Sequence, residues 1–407
     1  MRILVVAHKP PYPPVDGGTL ATLNLCLGLA KAGNNVTVLT LSTPKHPGSM
    51  ERIPAEVHAL IDFEIFHIFL SNNIVRYILN LIFTRKPYNI QRYLSPTFKR
   101  IIRRTIKEKN FDVVQLEGLY LISYVNTIRK DFDGPIVMRA HNVEHHIWEN
   151  LAVEADNKLK KWYFKLLAQR IASIEKRINK SVDALVAISN PDKDWFTSNN
   201  FHNPSITIPA GYFPNTKVFD TELYENPTIC YIGALDWLPN TEGLLWFIDW
   251  VWPRIQSEIP NIEFHIAGRN APEDLAERLI IERNIVFHGQ VADSAEFLSK
   301  FPIMVVPLLS GGGIRVKIIE GMFLSKAIIA TNIAAKGIEA NHGEHILIAD
   351  SPEVFAASVC NLIKSTETVK RIAQDGQKFA LENYDAINLA SRLTQFYNNL
   401  LQNNQQL

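Results

Sequence analysis

Three consecutive glycines, Gly311, Gly312 and Gly313, stand between an apolar run, Val305–Leu309, and a segment carrying Ile314, Arg315, Lys317 and Glu320. The order predicts a strand, a bare loop and a helix N-terminus. Glycines lack a Cβ, so their amides can close around an anion, and the helix dipole adds partial positive charge there. Arg315 brings a planar fork for phosphate oxygens, and Lys317 a point charge. Lys317 and Glu320 are three apart and share a helix face. A carboxylate just behind a phosphate cradle suits the two hydroxyls of a ribose. The chemistry predicted is the binding of a nucleoside diphosphate. A plain turn with solvated cations uses the same residue types. The strand before, the basic pair after and the carboxylate one turn on favour the anion site.

The elements that must hold this loop follow a regular pattern. Short apolar runs alternate with longer helical stretches, which predicts βαβ units and mostly parallel sheets. Strands are expected at Met1–Ala7, Val36–Leu41, Ile61–Ile68, Asp112–Leu116, Pro135–Arg139 and Ala184–Ile188. A first helix is expected to run through Ala30 and end at Gly33. The texture changes to Asn, Pro and Gly over Phe201–Thr216, as in a linker. A second series is expected at Thr228–Gly233, Ile262–Ala267, Ile285–Phe287, Ile303–Pro307, Ala327–Thr331 and Ile346–Ala349. The end, Tyr384–Leu401, reads as an amphipathic helix followed by a frayed tail, Gln402–Gln406. The fold class predicted is α/β, with two doubly wound Rossmann-like domains facing across a cleft. Their expected limits are 1–204 and 205–383, with 384–407 a helix returning to the first. Ligands in such sheets bind beyond the carboxyl ends of the strands.

Bulk properties narrow the function. The chain has 407 residues, enough for two domains of common size. Its formal net charge of +1 gives no reason to expect nucleic acid. Three cysteines, Cys26, Cys230 and Cys360, lie far apart without metal-ligand spacing, as buried hydrophobes of a reducing compartment. Met1–Ala7 is too short to be a signal peptide, and no stretch reaches the roughly 18 apolar residues of a membrane span. A cytoplasmic protein is expected.

The ordered set of motifs resembles the retaining glycosyltransferases of family 4, which have the two-domain GT-B fold. In the second half it comprises Tyr231-Ile232-Gly233 with Asp236-Trp237 and Pro239-Asn240, Trp252-Pro253, and Ile266-Ala267-Gly268-Arg269. Phe287-His288-Gly289 with Val291 and Asp293, the glycine-rich segment, Ala330-Thr331 and Gly337-Ile338 complete it. In the first half, Asp16-Gly17-Gly18 and Ala140-His141-Asn142-Val143-Glu144 match. The resemblance implies transfer of a sugar from a nucleotide diphosphate donor, with retention and without a metal or other cofactor. It implies a donor bound mainly by the C-terminal domain, through Gly233, Gly268, Arg269, Gly311 to Gly313, Ile314 and Glu320. The acceptor, a glycan or lipid-linked glycan, is implied on the N-terminal domain, in cell-surface polysaccharide assembly. Two positions depart from the pattern. The first glutamate of the paired-glutamate motif is Gly312 here, and the arginine after the first glycine of the second half is Ala234. The first departure bears on the donor sugar. The second leaves Arg315 and Lys317 to carry the phosphate charge.

Three further groups complete the sequence picture. Gly17 and Gly18 sit between the first strand and helix, where amides can touch the donor diphosphate. A tight βα turn needs glycine anyway. His141 follows a strand at its carboxyl end and, by resemblance, is the catalytic histidine, with Asn142 and Glu144 shaping its loop. His145 and His146 read as surface histidines, and no carboxylate or cysteine pattern beside them suggests zinc. No matched carboxylate is an obvious nucleophile, so the resemblance implies front-face departure of the diphosphate, stabilised by Arg315, Lys317 and the Gly311–Gly313 amides. Finally, two basic runs, Lys99–Lys109 and Lys158–Lys165, the second interleaved with Trp162, Tyr163 and Phe164, suit either solvated helix faces or an anionic membrane surface. Rival functions are a nucleotide-sugar epimerase on the same fold and a non-catalytic nucleotide-sugar-binding protein. A dinucleotide-dependent oxidoreductase fails, because Ala7-His8-Lys9-Pro10 stands where its glycine fingerprint belongs.

Overall fold

The computed structural model describes residues 1–69, 80, 84, 86–213, 228–311 and 315–404. The chain divides into two units, Met1–Gly211 with Ala386–Leu407, and Tyr212–Asp385. The first is built on β1 (Arg2–Ala7), β2 (Asn35–Ser42), β3 (Ile61–His67), β4 (Val113–Glu117), β5 (Ile136–Ala140), β6 (Ala184–Ala187) and β7 (Ser205–Thr207). They form one parallel sheet in the order β3-β2-β1-β4-β5-β6-β7. β1 is buried from Ile3 onward, and separate apolar clusters fill both faces of the sheet. A parallel strand covered by helices on both sides needs this unbroken apolar character. The chain reverses its direction of winding between β1 and β4, so their carboxyl ends open a crevice.

The second unit repeats the plan with β8 (Ile229–Ile232), β9 (Phe264–Ala267), β10 (Ile285–Phe287), β11 (Ile303–Val306), β12 (Ala327–Ala330) and β13 (Leu347–Ile348). Its order is β10-β9-β8-β11-β12-β13, again parallel. Here the reversal falls between β8 and β11. Gly233 follows one strand and the segment leading to Gly311 follows the other.

Three expectations change. Part of the supposed linker is a strand. Ser205–Thr207 pairs with β6 as the edge of the first sheet, a place where a short, half-buried segment suffices. A boundary at residue 204 cuts this strand from its sheet, and the unit instead ends at Gly211. The last helix, Ala386–Asn404, continues past Leu401, and residues 405 and 406 of the expected tail lie outside the described residues. It belongs to the first unit, where Leu389, Leu393, Tyr397 and Leu400, at helical spacing, are buried in one core. Close approach makes this possible: a Cβ on Gly28 would sit 2.5 Å from the Ala386 carbonyl oxygen. The three cysteines are free and buried. Among the described residues no helix is long and apolar enough to cross a membrane.

Candidate functional site

In the second unit, the residues predicted to hold an anion gather at the β8–β11 crevice. Lys317 lies in the first turn of the helix Val316–Phe323. Its Nζ donates to the Ile232 carbonyl at 3.0 Å and to Asn240 Oδ1 at 2.9 Å, and it lies 4.9 Å from the centre of the Tyr231 ring. The residue as a whole is half-exposed, but this ammonium end is enclosed. Burial, helped by the nearby Arg315 charge, lowers its pKa to about 7. Among the described residues no carboxylate faces it. Arg315 is buried, with its guanidinium 5.4 Å over the Trp237 ring and Nη2 3.5 Å from the Ser310 carbonyl. Gly311 has φ +103°, a conformation that calls for glycine, and a Cβ there would stand 2.8 Å from the tip of Arg315, Nη2, which would have to shift. Gly312, Gly313 and Ile314 lie outside the described residues.

Glu320 is one turn further along the same helix. Its Oε1 accepts from Ser294 Oγ at 2.6 Å and from Tyr212 Oη at 3.2 Å, and burial pushes its carboxyl up. Among the described residues no donor reaches Oε2. The two remaining glycines serve the strand ends. A Cβ on Gly233 would lie 3.0 Å from Lys317 Nζ, whereas one on Gly268 would strike the Gly233 carbonyl at 2.5 Å. Gly268 therefore holds two loops together. Arg269 accepts through its backbone carbonyl from Leu235 N, and its side chain has no ion-pair partner among the described residues.

A second constellation occupies the β1–β4 crevice of the first unit. Gly17 and Gly18 open the helix Gly17–Lys31, capped by Asp16, whose side chain accepts from Thr19 N at 2.8 Å. Burial works to raise the Asp16 carboxyl, but Lys9 at 2.5 Å, with Thr19, holds it at about 2. His141 follows β5. Its Nε2 is 2.6 Å from Glu117 Oε2, and its Nδ1 lies 3.7 Å from where a Cβ on Gly18 would be.

Glu117, at the end of β4, is the residue that sequence reasoning missed. It is 2% exposed, yet it accepts from His141, from Arg139 Nη1 at 3.1 Å, from Thr22 Oγ1 at 2.9 Å and from Gln115 Nε2. Burial works to raise its carboxyl, but Arg139, His141 and Thr22 hold it at about 2. An ionised Glu117 accepts from His141 Nε2, which turns Nδ1 towards the Asp16–Gly18 turn. The last helix joins the network through Tyr397 Oη, which donates to Gln115 Oε1. His8 packs beside it, donating from Nδ1 to the Glu117 carbonyl at 3.1 Å, and burial lowers its pKa to about 3, so it is neutral.

Several other expectations are corrected. His145 is a buried helical residue whose Nδ1 is 2.6 Å from Glu175 Oε2; only His146 is exposed. Glu149 does stand beside them. The donor atoms of the three lie within 4.8 Å of one another, a grouping that the sequence pattern did not show. Glu144 is a buried carboxyl raised to about 7 by burial and by Glu175, with Tyr120 Oη donating to it at 2.8 Å. The first basic run is largely neutralised. Arg103 and Lys107 pair with Asp131, Arg104 with Glu64 and Glu108, and Lys109 with Asp62 and Glu64. The second run, Lys158, Lys160, Lys161 and Lys165, has no ion-pair partner among the described residues.

Comparison with known proteins supplies the remaining context. A model described as Glycosyltransferase Family 4 matches residues 15–213, and one described as Glycosyl transferases group 1 matches residues 226–365. An uncharacterised 44.6 kDa protein of the cps region of Klebsiella pneumoniae is 27% identical over 402 residues, covering 95% of this chain and 97% of its own. Among solved structures, HepE of Anabaena in complex with UDP superposes with a TM-score of 0.67 at 14% identity, covering 98% of this chain and 100% of its own. Sucrose-phosphate synthase of Thermosynechococcus elongatus gives 0.69 at 16% identity, with 99% of each chain covered. TarM gives 0.67 at 13% identity, with 98% of each chain covered. These structures share the GT-B fold with this chain.

Proposed function

We propose that this chain, which belongs to the family 4-type glycosyltransferases, moves a sugar from a nucleoside diphosphate donor held by its second unit to a glycan or glycolipid acceptor, with retention of configuration. The observation that carries the reading is Lys317. A buried ammonium held only by neutral acceptors, at a strand-end crevice beside Arg315, is poorly stabilised until an anion arrives. A diphosphate is such an anion, and the Glu320 carboxylate one turn away suits a ribose diol. Arg315 and Lys317 then stabilise the leaving diphosphate, so the proposed chemistry needs no metal or other cofactor. Given retention, the route is narrowed by the state of the nearest carboxylate to His141, because a double displacement would need a carboxylate free to attack. Glu117 is committed to Arg139, His141 and Thr22 and is not placed to attack a sugar. A front-face reaction follows, in which a diphosphate oxygen takes the acceptor's proton and His141 orients a hydroxyl through Nδ1. HepE has been solved with UDP and with UDP-glucose, which makes UDP the first donor product to try. The relative from a cps region supports a place in surface polysaccharide assembly.

A thermal-shift titration with UDP, UDP-glucose and other nucleotide sugars tests the donor site. One of them is expected to raise the melting midpoint of the wild type in a concentration-dependent way and to shift Glu320→Ala far less. Equal shifts in both proteins would remove Glu320 from the site. No shift in the wild type would remove the donor reading itself.

We also propose peripheral contact with an anionic membrane surface. The helices Glu144–Glu154 and Lys158–Glu175 expose Val153 (74%), Leu159 (76%) and Trp162 (55%) among the unpaired lysines, the pairing of apolar and basic groups that interfacial binding uses. Wild type is expected to float with vesicles containing phosphatidylglycerol, and the double variant Leu159→Glu, Trp162→Glu to stay behind. Wild type left in the dense fraction would end the idea.

A further inference from the structure

The first unit contains a cavity of about 320 Å³ that the donor chemistry does not use. Its lining includes Tyr93, Tyr120, Trp148, Tyr163, Phe164 and Arg92. The rings come from three places: the segment after the short helix Tyr88–Gln91, the turn Leu119–Tyr124 that follows β4, and the facing helices Glu144–Glu154 and Lys158–Glu175. They brace one another, Trp148 and Phe164 at 5.7 Å between centres, Tyr93 and Tyr120 at 5.6 Å. Its volume lies at the low end for small-molecule sites.

We infer that this cavity is a saccharide subsite, which takes a pyranose ring of the acceptor against its aromatic walls. The inference rests on the glycosyltransferase reading for the word acceptor, and on the cavity for the rest. A pyranose presents C–H faces and a rim of hydroxyls, so it asks for flat apolar walls edged with polar groups. The walls are the rings. At the edge stand Tyr120 and Arg92. Tyr120 donates its hydroxyl proton to Glu144, which leaves its oxygen to accept from a sugar hydroxyl. Arg92 adds a cation, 5.8 Å from the centre of the Tyr93 ring, for a hydroxyl or an acidic substituent. An acyl or prenyl chain would use the walls but offers no hydroxyl to the Tyr120 oxygen.

Position supports the same assignment. Tyr93 and Tyr120 both pack on His8, at 5.6 and 5.0 Å, and His8 is bonded to the Glu117 carbonyl. One layer of side chains therefore separates the cavity from the carboxylate that holds His141. A sugar seated there lies on the acceptor side of the proposed chemistry.

Saturation-transfer NMR on the full chain tests this, with the methyl glycosides of glucose, galactose and N-acetylglucosamine as probes, decyl phosphate as a lipid-like rival and UDP as a separate control. At least one glycoside is expected to bind, with transfer strongest to its ring C–H protons. Phe164→Ala should weaken it about tenfold and Trp148→Ala, which removes the facing ring, by a similar factor, while both variants still bind UDP as folded proteins. Three results would overturn the subsite: no glycoside binding to a wild type that binds UDP, equal binding to wild type and both variants, or decyl phosphate that no glycoside displaces. A glycoside lost in the variants together with no UDP binding would support the subsite and overturn the donor reading instead.

Discussion

With Lys317 replaced by alanine, sugar transfer is expected to fall about a hundred- to a thousandfold, the range seen when one preorganised charge or donor is removed from a developing anion. The position is unusual because no bound anion is needed to hold the side chain. Ile232 O, Asn240 and the Tyr231 ring already fix the ammonium end. Nothing must reorganise when the diphosphate leaves with its charge. Lys317→Met should reduce transfer as severely while raising the thermal stability of the empty protein at neutral and lower pH. The sign follows from the lysine. Its folded pKa, about 7, lies below its unfolded value of 10.5, so between these limits the unfolded chain binds more protons. Stability therefore rises with pH across that window, and at its acid end the full cost of burying the charge is present. A variant that is more stable and inactive cannot be dismissed as misfolded. Unchanged turnover in Lys317→Ala would remove the residue from the mechanism.

The same lysine makes donor binding pH-dependent. At pH 8 the empty site holds Lys317 mostly neutral, and a diphosphate beside it favours the charged form. Binding UDP should then take up close to one proton, read as a buffer-dependent heat in calorimetry. The dissociation constant should rise up to about tenfold per pH unit above 7. Both effects should vanish in Lys317→Met. A flat pH dependence in the wild type would mean that no anion reaches Nζ.

The two constellations differ in how far they could be read in the chain. The second-unit cluster was legible as a cluster because its parts are local: a glycine loop, two cations and a carboxylate fall within ten residues, on one strand-loop-helix unit. Its supports were not. Asn240 and Trp237 are more than 70 residues from the cations they touch. The strands were legible to within a residue or two where they are buried on both faces. They were not where the apolar signal is weak, as at Ser205–Thr207. The pairing of the first basic run was not legible because its carboxylates, Asp62, Glu64 and Asp131, come from distant segments. Glu117 left a trace that could have been used. Two polar residues, Gln115 and Glu117, interrupt an otherwise apolar parallel strand, and every residue of that strand is buried. A charge at the carboxyl end of such a strand must have partners, and they must be close to the ligand crevice.

Those partners decide the second large effect. Glu117→Gln is expected to lower kcat about 10- to 100-fold, the usual loss when the group that orients a functional histidine is replaced, with the donor KM little changed. The amide keeps the shape of the side chain but can turn an N–H towards His141 Nε2. In a neutral ring the proton is then driven to Nδ1, so that the nitrogen facing Gly18 donates instead of accepting. The substitution also leaves Arg139, 0% exposed, without its counter-charge, so a loss of stability will accompany it. A double-mutant cycle separates the two consequences. If Glu117 acts through His141, then adding Glu117→Gln to His141→Ala should cost almost nothing further in kcat, because the histidine it positions is already gone. If it only supports the fold, the two losses should multiply. Glu117→Asp, which keeps the charge, should restore the stability held by Arg139 and only part of the turnover, since a shorter carboxylate cannot reach Arg139, His141 and Thr22 together.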